Sequence, residues 1–176
     1  MKTVLSFVVI LAGLLAVKAQ QYKPVDEKSE VKFTIRNFGL NTNGSLTGLK
    51  GSIKFNPSDL STSSFDVTVD VNSVNTGIDS RDSHLKKQDY FDAGRYPTIN
   101  FASTSISQSQ NDYSVTGKLT IKGITKTISF PFTVQNQDNG LLLTGSFNID
   151  RKDFNVGESS AVLGNTVNVS LKVFAN

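Results

Sequence analysis

Cysteine and tryptophan are absent from the 176 residues, and histidine and methionine occur once each. Without cysteine the chain has no disulfide, no thiolate nucleophile and no sulfur ligand for zinc. It also has no attachment point for the acyl chains of a lipoprotein. A lone histidine, His84, excludes zinc sites built from several imidazoles. Neither sign of charge dominates. The chain carries 18 Lys and Arg against 15 Asp and Glu, and without Lys2 and Lys18 the count falls to 16 basic side chains. No basic block remains in residues 20–176, so a nucleic-acid partner is not expected.

What the sequence does have begins with a basic start at Lys2, an apolar run from Val4 to Val17, and Ala19 followed by polar Gln20 and Gln21. This is the layout of a secretory signal peptide cleaved after Ala19. The run is too short to span a bilayer comfortably, so residues 20–176 are expected as a mature domain without a transmembrane segment, periplasmic or secreted. The second abundance is phenylalanine, with 12 in the chain. Stability must come from a core rather than from cross-links, and that core is aromatic.

Past residue 28 the apolar period is two. Val31, Phe33 and Ile35 alternate with Lys32, Thr34 and Arg36; Phe65, Val67, Val69 and Val71 alternate with Asp66, Thr68, Asp70 and Asn72. Val167, Val169, Leu171 and Val173 repeat the pattern. Each is a strand with one dry and one wet face. Strands are expected near 29–37, 46–56, 64–74, 97–107, 112–122, 125–136, 140–150 and 165–175. Turn signals such as Asn56-Pro57-Ser58-Asp59, Gln110-Asn111-Asp112, Lys122-Gly123 and Gln137-Asp138-Asn139-Gly140 separate them.

Eight antiparallel strands joined by short turns describe an all-β, up-and-down barrel about 25–28 Å tall. A two-sheet sandwich gives the same alternation. Two connections, 75–96 and 151–164, are too long for hairpin turns, and such loops in a small domain usually carry function or structure of their own. By alternation Phe33, Phe55, Phe65, Phe101, Phe130, Phe132 and Phe147 point inward with Val67, Val69 and Leu119. Periodicity does not separate a packed interior from a hollow one.

The stretch Arg81-Asp82-Ser83-His84-Leu85 through Tyr96-Pro97 is the most site-like in the chain. An enzyme reading makes His84 a base, Asp82 or Asp89 its orienter and Ser80 or Ser83 the nucleophile. Against it, no glycine-flanked serine occurs, and these residues lie within a few positions of one another, where a triad draws on distant segments. Asp79, Asp82 and Asp89 lack the alternation and the bend glycine of a calcium loop. Gly117-Lys118-Leu119-Thr120 and Gly123 lead from one strand into the next, not into a helix, so they form no phosphate loop. The structural reading is a short helix capped by Asp79 or Ser80, with Leu85, Tyr90 and Phe91 plugging one barrel mouth. No catalytic residue, metal or cofactor is assigned.

In order along the chain stand Ser29-Glu30-Val31-Lys32-Phe33, Gly48-Leu49-Lys50-Gly51-Ser52-Ile53, Ser73-Val74-Asn75-Thr76-Gly77, the 81–97 stretch, Phe101-Ala102-Ser103, Gly117 to Gly123, and Arg151-Lys152-Asp153-Phe154. This ordered set resembles the YceI-like family of exported, lipocalin-like barrels implicated in binding polyisoprenoids. Asn155 departs from it, standing where the family often has glycine. The resemblance implies a hollow lumen holding a long-chain isoprenoid or other apolar lipid, and a carrier rather than an enzyme. The expected ligand-binding residues are the ten inward side chains above together with Leu85 and Phe91. Arg81, Asp82, His84, Arg151 and Asp153 are then expected as a polar lid network, not a catalytic one.

Overall fold

Alternation produces strands wherever it was strong enough to read. The computed structural model describes residues 20–109 and 112–176; the expected leader, and Gln110 and Asn111 of one expected turn, lie outside the described residues. Among the described residues nine strands form: β1 Gln20–Tyr22, β2 Glu30–Asn37, β3 Leu40–Phe55, β4 Ser64–Asn75, β5 Thr98–Ser109, β6 Asp112–Ile121, β7 Ile124–Gln137, β8 Gly140–Asp150 and β9 Leu163–Ala175. An α-helix, α1, spans Asp79–Leu85, and short 3₁₀ turns occupy Asp26–Lys28, Leu60–Thr62 and Arg151–Phe154.

The strands pair in the order β3-β2-β9-β8-β7-β6-β5-β4, and a further β3–β4 pairing closes the ring. The result is the expected eight-stranded antiparallel barrel, not a sandwich. β1 is an addition the alternation did not reveal. It pairs with β3 (Gln20↔Phe55), while Pro24 bridges Ala175, so β1 and β2 share the gap between β3 and β9. β3 begins at Leu40, earlier than expected, because Phe38 and Gly39 (φ 49° and 75°) make a tight two-residue hairpin.

β3 has to bend to leave β2 and reach β4. Its register against β4 slips on either side of Thr47, next to Gly48 at φ 74°. Asp26 receives the N–H groups freed there, from Gly48 at 2.9 Å and Leu49 at 2.8 Å. At Gly51 a Cβ would stand 2.1 Å from the Asp66 carbonyl oxygen, so only glycine lets the two strands approach.

The barrel interior has two unlike halves. At the end carrying the β1 start and the β7–β8 turn, Ile53, Phe55, Phe65, Ile106, Val115, Phe132, Leu141, Leu143 and Ala175 pack solid. Phe132 is the hub, with ring centroids 5.3 Å from Phe65, 5.5 Å from Tyr113 and 6.3 Å from Phe55. The other half is hollow, and both long connections fold over it. The helix start differs from expectation. Ile78 is the N-cap and makes no side-chain cap, while Asp79 and Ser80 lie inside the first turn.

Candidate functional site

The hollow half encloses a cavity of about 400 Å³, within the range of pockets that hold small organic ligands. Its floor is aromatic. Phe130 stacks on Phe147 at 4.6 Å and meets Phe101 at 5.6 Å, and all three face the cavity. Its walls are Val31, Phe33 and Ile35 of β2, Val67 and Val69 of β4, Leu119 of β6, and Val167, Val169, Leu171 and Val173 of β9. Most of these inward-pointing side chains are half-buried, which is the signature of a face with space behind it. No Asp or Glu is among the cavity-lining residues.

Residue shapes explain part of this space. Gly44 pairs directly with Phe33, and a Cβ there would fall 2.2 Å from the ring's Cζ. The Phe33 ring therefore lies across the bare backbone of β3. Gly117 does the same for Phe101, where a Cβ would stand 2.5 Å from Cζ. Two cavity rings thus take their positions from glycines on the neighbouring strand.

The lid comes from the two long connections. Leu85, Tyr90 and Phe91 from one and Phe154, Val156 and Val162 from the other line the cavity. Gly157 N–H donates to the Asp89 carbonyl at 2.8 Å and joins them. Tyr90 and Arg151 both press on Gly157, where a Cβ would stand 2.8 Å from Tyr90 Cε1 and 3.0 Å from Arg151 Nη1. On the far side, Lys122 Nζ donates to the Asn155 carbonyl at 2.7 Å.

Of the expected ligand-facing residues, Phe33, Val67, Val69, Leu85, Phe91, Phe101, Leu119, Phe130 and Phe147 converge on the cavity. Phe55, Phe65 and Phe132 do not: they lie in the packed half. The lumen is consequently shorter than the strand lengths alone implied. The expected polar network divides into separate parts. Arg81 donates from Nε to Thr76 Oγ1 (2.7 Å) and from Nη2 to the Thr76 carbonyl (2.8 Å). Asp82, buried, accepts from the Thr76 N–H and hydroxyl. Among the described residues Arg151 binds backbone carbonyls alone. His84 is exposed at the mouth with its ring against Tyr90, centroids 4.9 Å apart, and Asp153 is exposed to solvent. Among the described residues, no three His, Cys, Asp or Glu side chains gather where a metal ion would sit.

Lining residues that periodicity missed include Leu46, Leu49, Ile121, Phe154 and Val156. Phe154 is 1% exposed, yet it sits in a 3₁₀ turn, where neither strand nor helix spacing applies. Its only signal was membership of the Arg151-Lys152-Asp153-Phe154 motif, in a loop without periodicity.

A profile of the YceI-like domain matches residues 22–175, nearly the whole barrel. The chain belongs to the YceI-like family. A UPF0312 protein of Yersinia enterocolitica is 29% identical over 78% of this chain and 77% of the relative. The crystal structure of Burkholderia cenocepacia BcnA superposes with a TM-score of 0.83 at 30% identity, covering 87% of this chain and 99% of that one. A domain from Saccharophagus degradans, described as polyisoprenoid-binding and implicated in plant cell wall breakdown, gives a TM-score of 0.71 at 18% identity, over 88% and 97% of the two chains. At that identity the likeness speaks for the fold. In this YceI-like barrel the recognised motifs have physical roles. Gly48 to Ile53 is the bend of β3, Arg81 to Leu85 is the lid helix, and Arg151 to Phe154 is the turn over the mouth. Asn155 takes the left-handed backbone (φ 53°) that a glycine would otherwise supply.

Proposed function

We propose that this YceI-like barrel is an exported carrier that holds one long apolar lipid, an isoprenoid quinone, polyprenyl or similar chain, in its hollow half. The observation that carries the reading is the cavity itself: about 400 Å³, floored by Phe101, Phe130 and Phe147 and lined at its mouth by the two long connections. Ten buried CH₂ groups at about 0.8 kcal/mol each supply roughly 8 kcal/mol before association costs, so tail binding needs no special polar residues.

Two further observations support it. The large apolar side chains that stand exposed, Phe38, Leu40, Ile78 and Val162, all belong to the mouth end, where a lipid enters or leaves. The Saccharophagus degradans domain of the same fold is described as binding polyisoprenoids. Catalysis has less support, because Asp82 is turned to Thr76 and does not orient His84. Export rests on the basic, apolar and small-residue layout of residues 1–19. Among the described residues no helix is long and apolar enough to cross a membrane.

The test is mass spectrometry of organic extracts from protein expressed with its leader and purified without detergent. A long-chain lipid at near-stoichiometric occupancy, on a chain beginning at Gln20, is the expected result. Neither a recovered lipid nor uptake of an added one would overturn the carrier reading, and retention of residues 1–19 in exported material would overturn the cleavage.

A further inference from the structure

We infer that the ligand's head is an anionic oxygen group, a carboxylate or phosphate, held at the mouth by Arg151 with Arg81. The inference rests on the carrier reading and narrows its ligand class. Arg151 lines the cavity yet is only 4% exposed, so its guanidinium is a buried charge. It donates from Nε to Gly164 O (2.9 Å), from Nη1 to Val156 O (2.8 Å) and from Nη2 to Glu158 O (2.8 Å). A guanidinium has five N–H donors, so one on each terminal nitrogen stays without an acceptor among the described residues.

Carbonyls satisfy hydrogen bonds but do not neutralise charge, and a buried cation without an anion is unfavourable. The one ion pair among the described residues, Lys32 with Glu30, involves neither arginine. Arg81, half-buried, adds a second guanidinium at the same cavity: Nε and one Nη2 proton go to Thr76, which links it to the Asp82 carboxylate, while Nη1 has no partner among the described residues. The cavity therefore has an aromatic floor and a cationic mouth with no lining carboxylate. An amphiphile fits it in one orientation, tail on Phe130 and Phe147 and oxyanion under the lid. Charge-assisted bonds from guanidinium to carboxylate or phosphate are the strong, geometrically selective kind. A neutral quinone head leaves the charge unmatched.

The experiment uses the mature protein and a chain-matched series: palmitate, hexadecyl phosphate, hexadecanol and hexadecane, each competing against a bound apolar dye at fixed ionic strength. The two anions are expected to displace the dye at least about tenfold more effectively than hexadecanol. Equal or tighter binding of hexadecanol overturns the head-group assignment and leaves the carrier reading standing. Binding of none of the four overturns both. Arg151→Met is expected to bring the anions within about threefold of the alcohol, the ratio being read within that variant whatever happens to its overall affinity; an undiminished preference in that variant overturns the role of Arg151. Because Arg151 also ties the 155–164 loop, a ¹⁵N-resolved Arg151 Nε–H signal in the unmodified protein provides a second readout. It should move with palmitate and not with hexadecanol; a signal indifferent to palmitate overturns the assignment even where Arg151→Met fails to fold.

Discussion

Gly157 donates its backbone N–H to the carbonyl oxygen of Asp89 at 2.8 Å, and this bond fastens the 151–164 connection to the 75–96 connection above the cavity. The approach depends on Gly157 having no side chain, since Tyr90 lies on one side and Arg151 on the other. The backbone there is at φ 68°, which favours glycine independently of the crowding. One residue thus sets both the closeness and the angle of the two halves of the lid.

Gly157→Ala is expected to loosen the lid without unfolding the barrel. Left-handed backbone at a non-glycine residue costs about 1–3 kcal/mol, and the Cβ also displaces Tyr90 or Arg151. Hydrogen exchange should speed up across 79–93 and 151–164 while β6 and β7 keep their protection, and a bound lipid should leave faster. Unchanged exchange in both connections would show that the bond does not hold them together.

The packed and hollow halves predict different costs for the same substitution. Phe132 is 4% exposed and meets three other rings, so Phe132→Ala should cost about 3–5 kcal/mol. Phe147 is half-buried and faces open space, so Phe147→Ala should cost roughly half as much and enlarge the cavity instead. Denaturant midpoints measure the first, and the preferred chain length of bound lipids the second. Equal destabilisation at both positions would mean that the hollow half is packed in solution.

This contrast marks what alternation tells and where it stops. The period in Phe65, Val67 and Val69 or in Val167 to Val173 assigns a face, because successive side chains must point to opposite sides of a strand. It says nothing of height along the barrel axis. Phe65 and Phe132 therefore read the same as Phe101 and Phe147, though the first pair is in the plug and the second at the cavity. Height follows from register, which came only with the pairing of distant strands. The β3 start was hidden for a related reason: Asn41-Thr42-Asn43-Gly44-Ser45 has no apolar alternation and reads as a loop. Those small and polar residues are a strand because β2 pairs with them, and Gly44 is there to leave room for Phe33. Arg151 could be placed in the lid by resemblance, but its buried charge depends on three carbonyls of a loop with no readable pattern.

Gly44→Ala tests that use of space directly. The new Cβ meets the far end of the Phe33 ring, and a ring end can rotate away where backbone cannot. The expected result is a stability loss of no more than about 1–3 kcal/mol with a reshaped cavity and weaker lipid retention. The double change Gly44→Ala with Phe33→Leu should restore part of the retention. If Gly44→Ala binds lipid as well as the parent does, Phe33 does not shape the cavity.

His84 provides the sharpest separation of carrier from enzyme. Its imidazole is exposed at the mouth against Tyr90, with ring centroids 4.9 Å apart, and the neighbouring Asp82 carboxylate is committed to Thr76. A general base needs an orienting partner and a position beside the reacting atom; among the described residues the ring is held by an edge contact alone. Such an aromatic contact contributes about 0.5–1.5 kcal/mol, so His84→Ala should lower lipid affinity by no more than about tenfold. The chemical identity of the bound lipid should not change. Phe91→Asp should do far more damage, because it places a carboxylate on the apolar wall of the cavity without a partner. The measurement is lipid occupancy and mass for the parent protein, His84→Ala and Phe91→Asp expressed in parallel. If the parent carries a modified lipid and His84→Ala carries its unmodified precursor, His84 takes part in chemistry and the barrel is an enzyme after all.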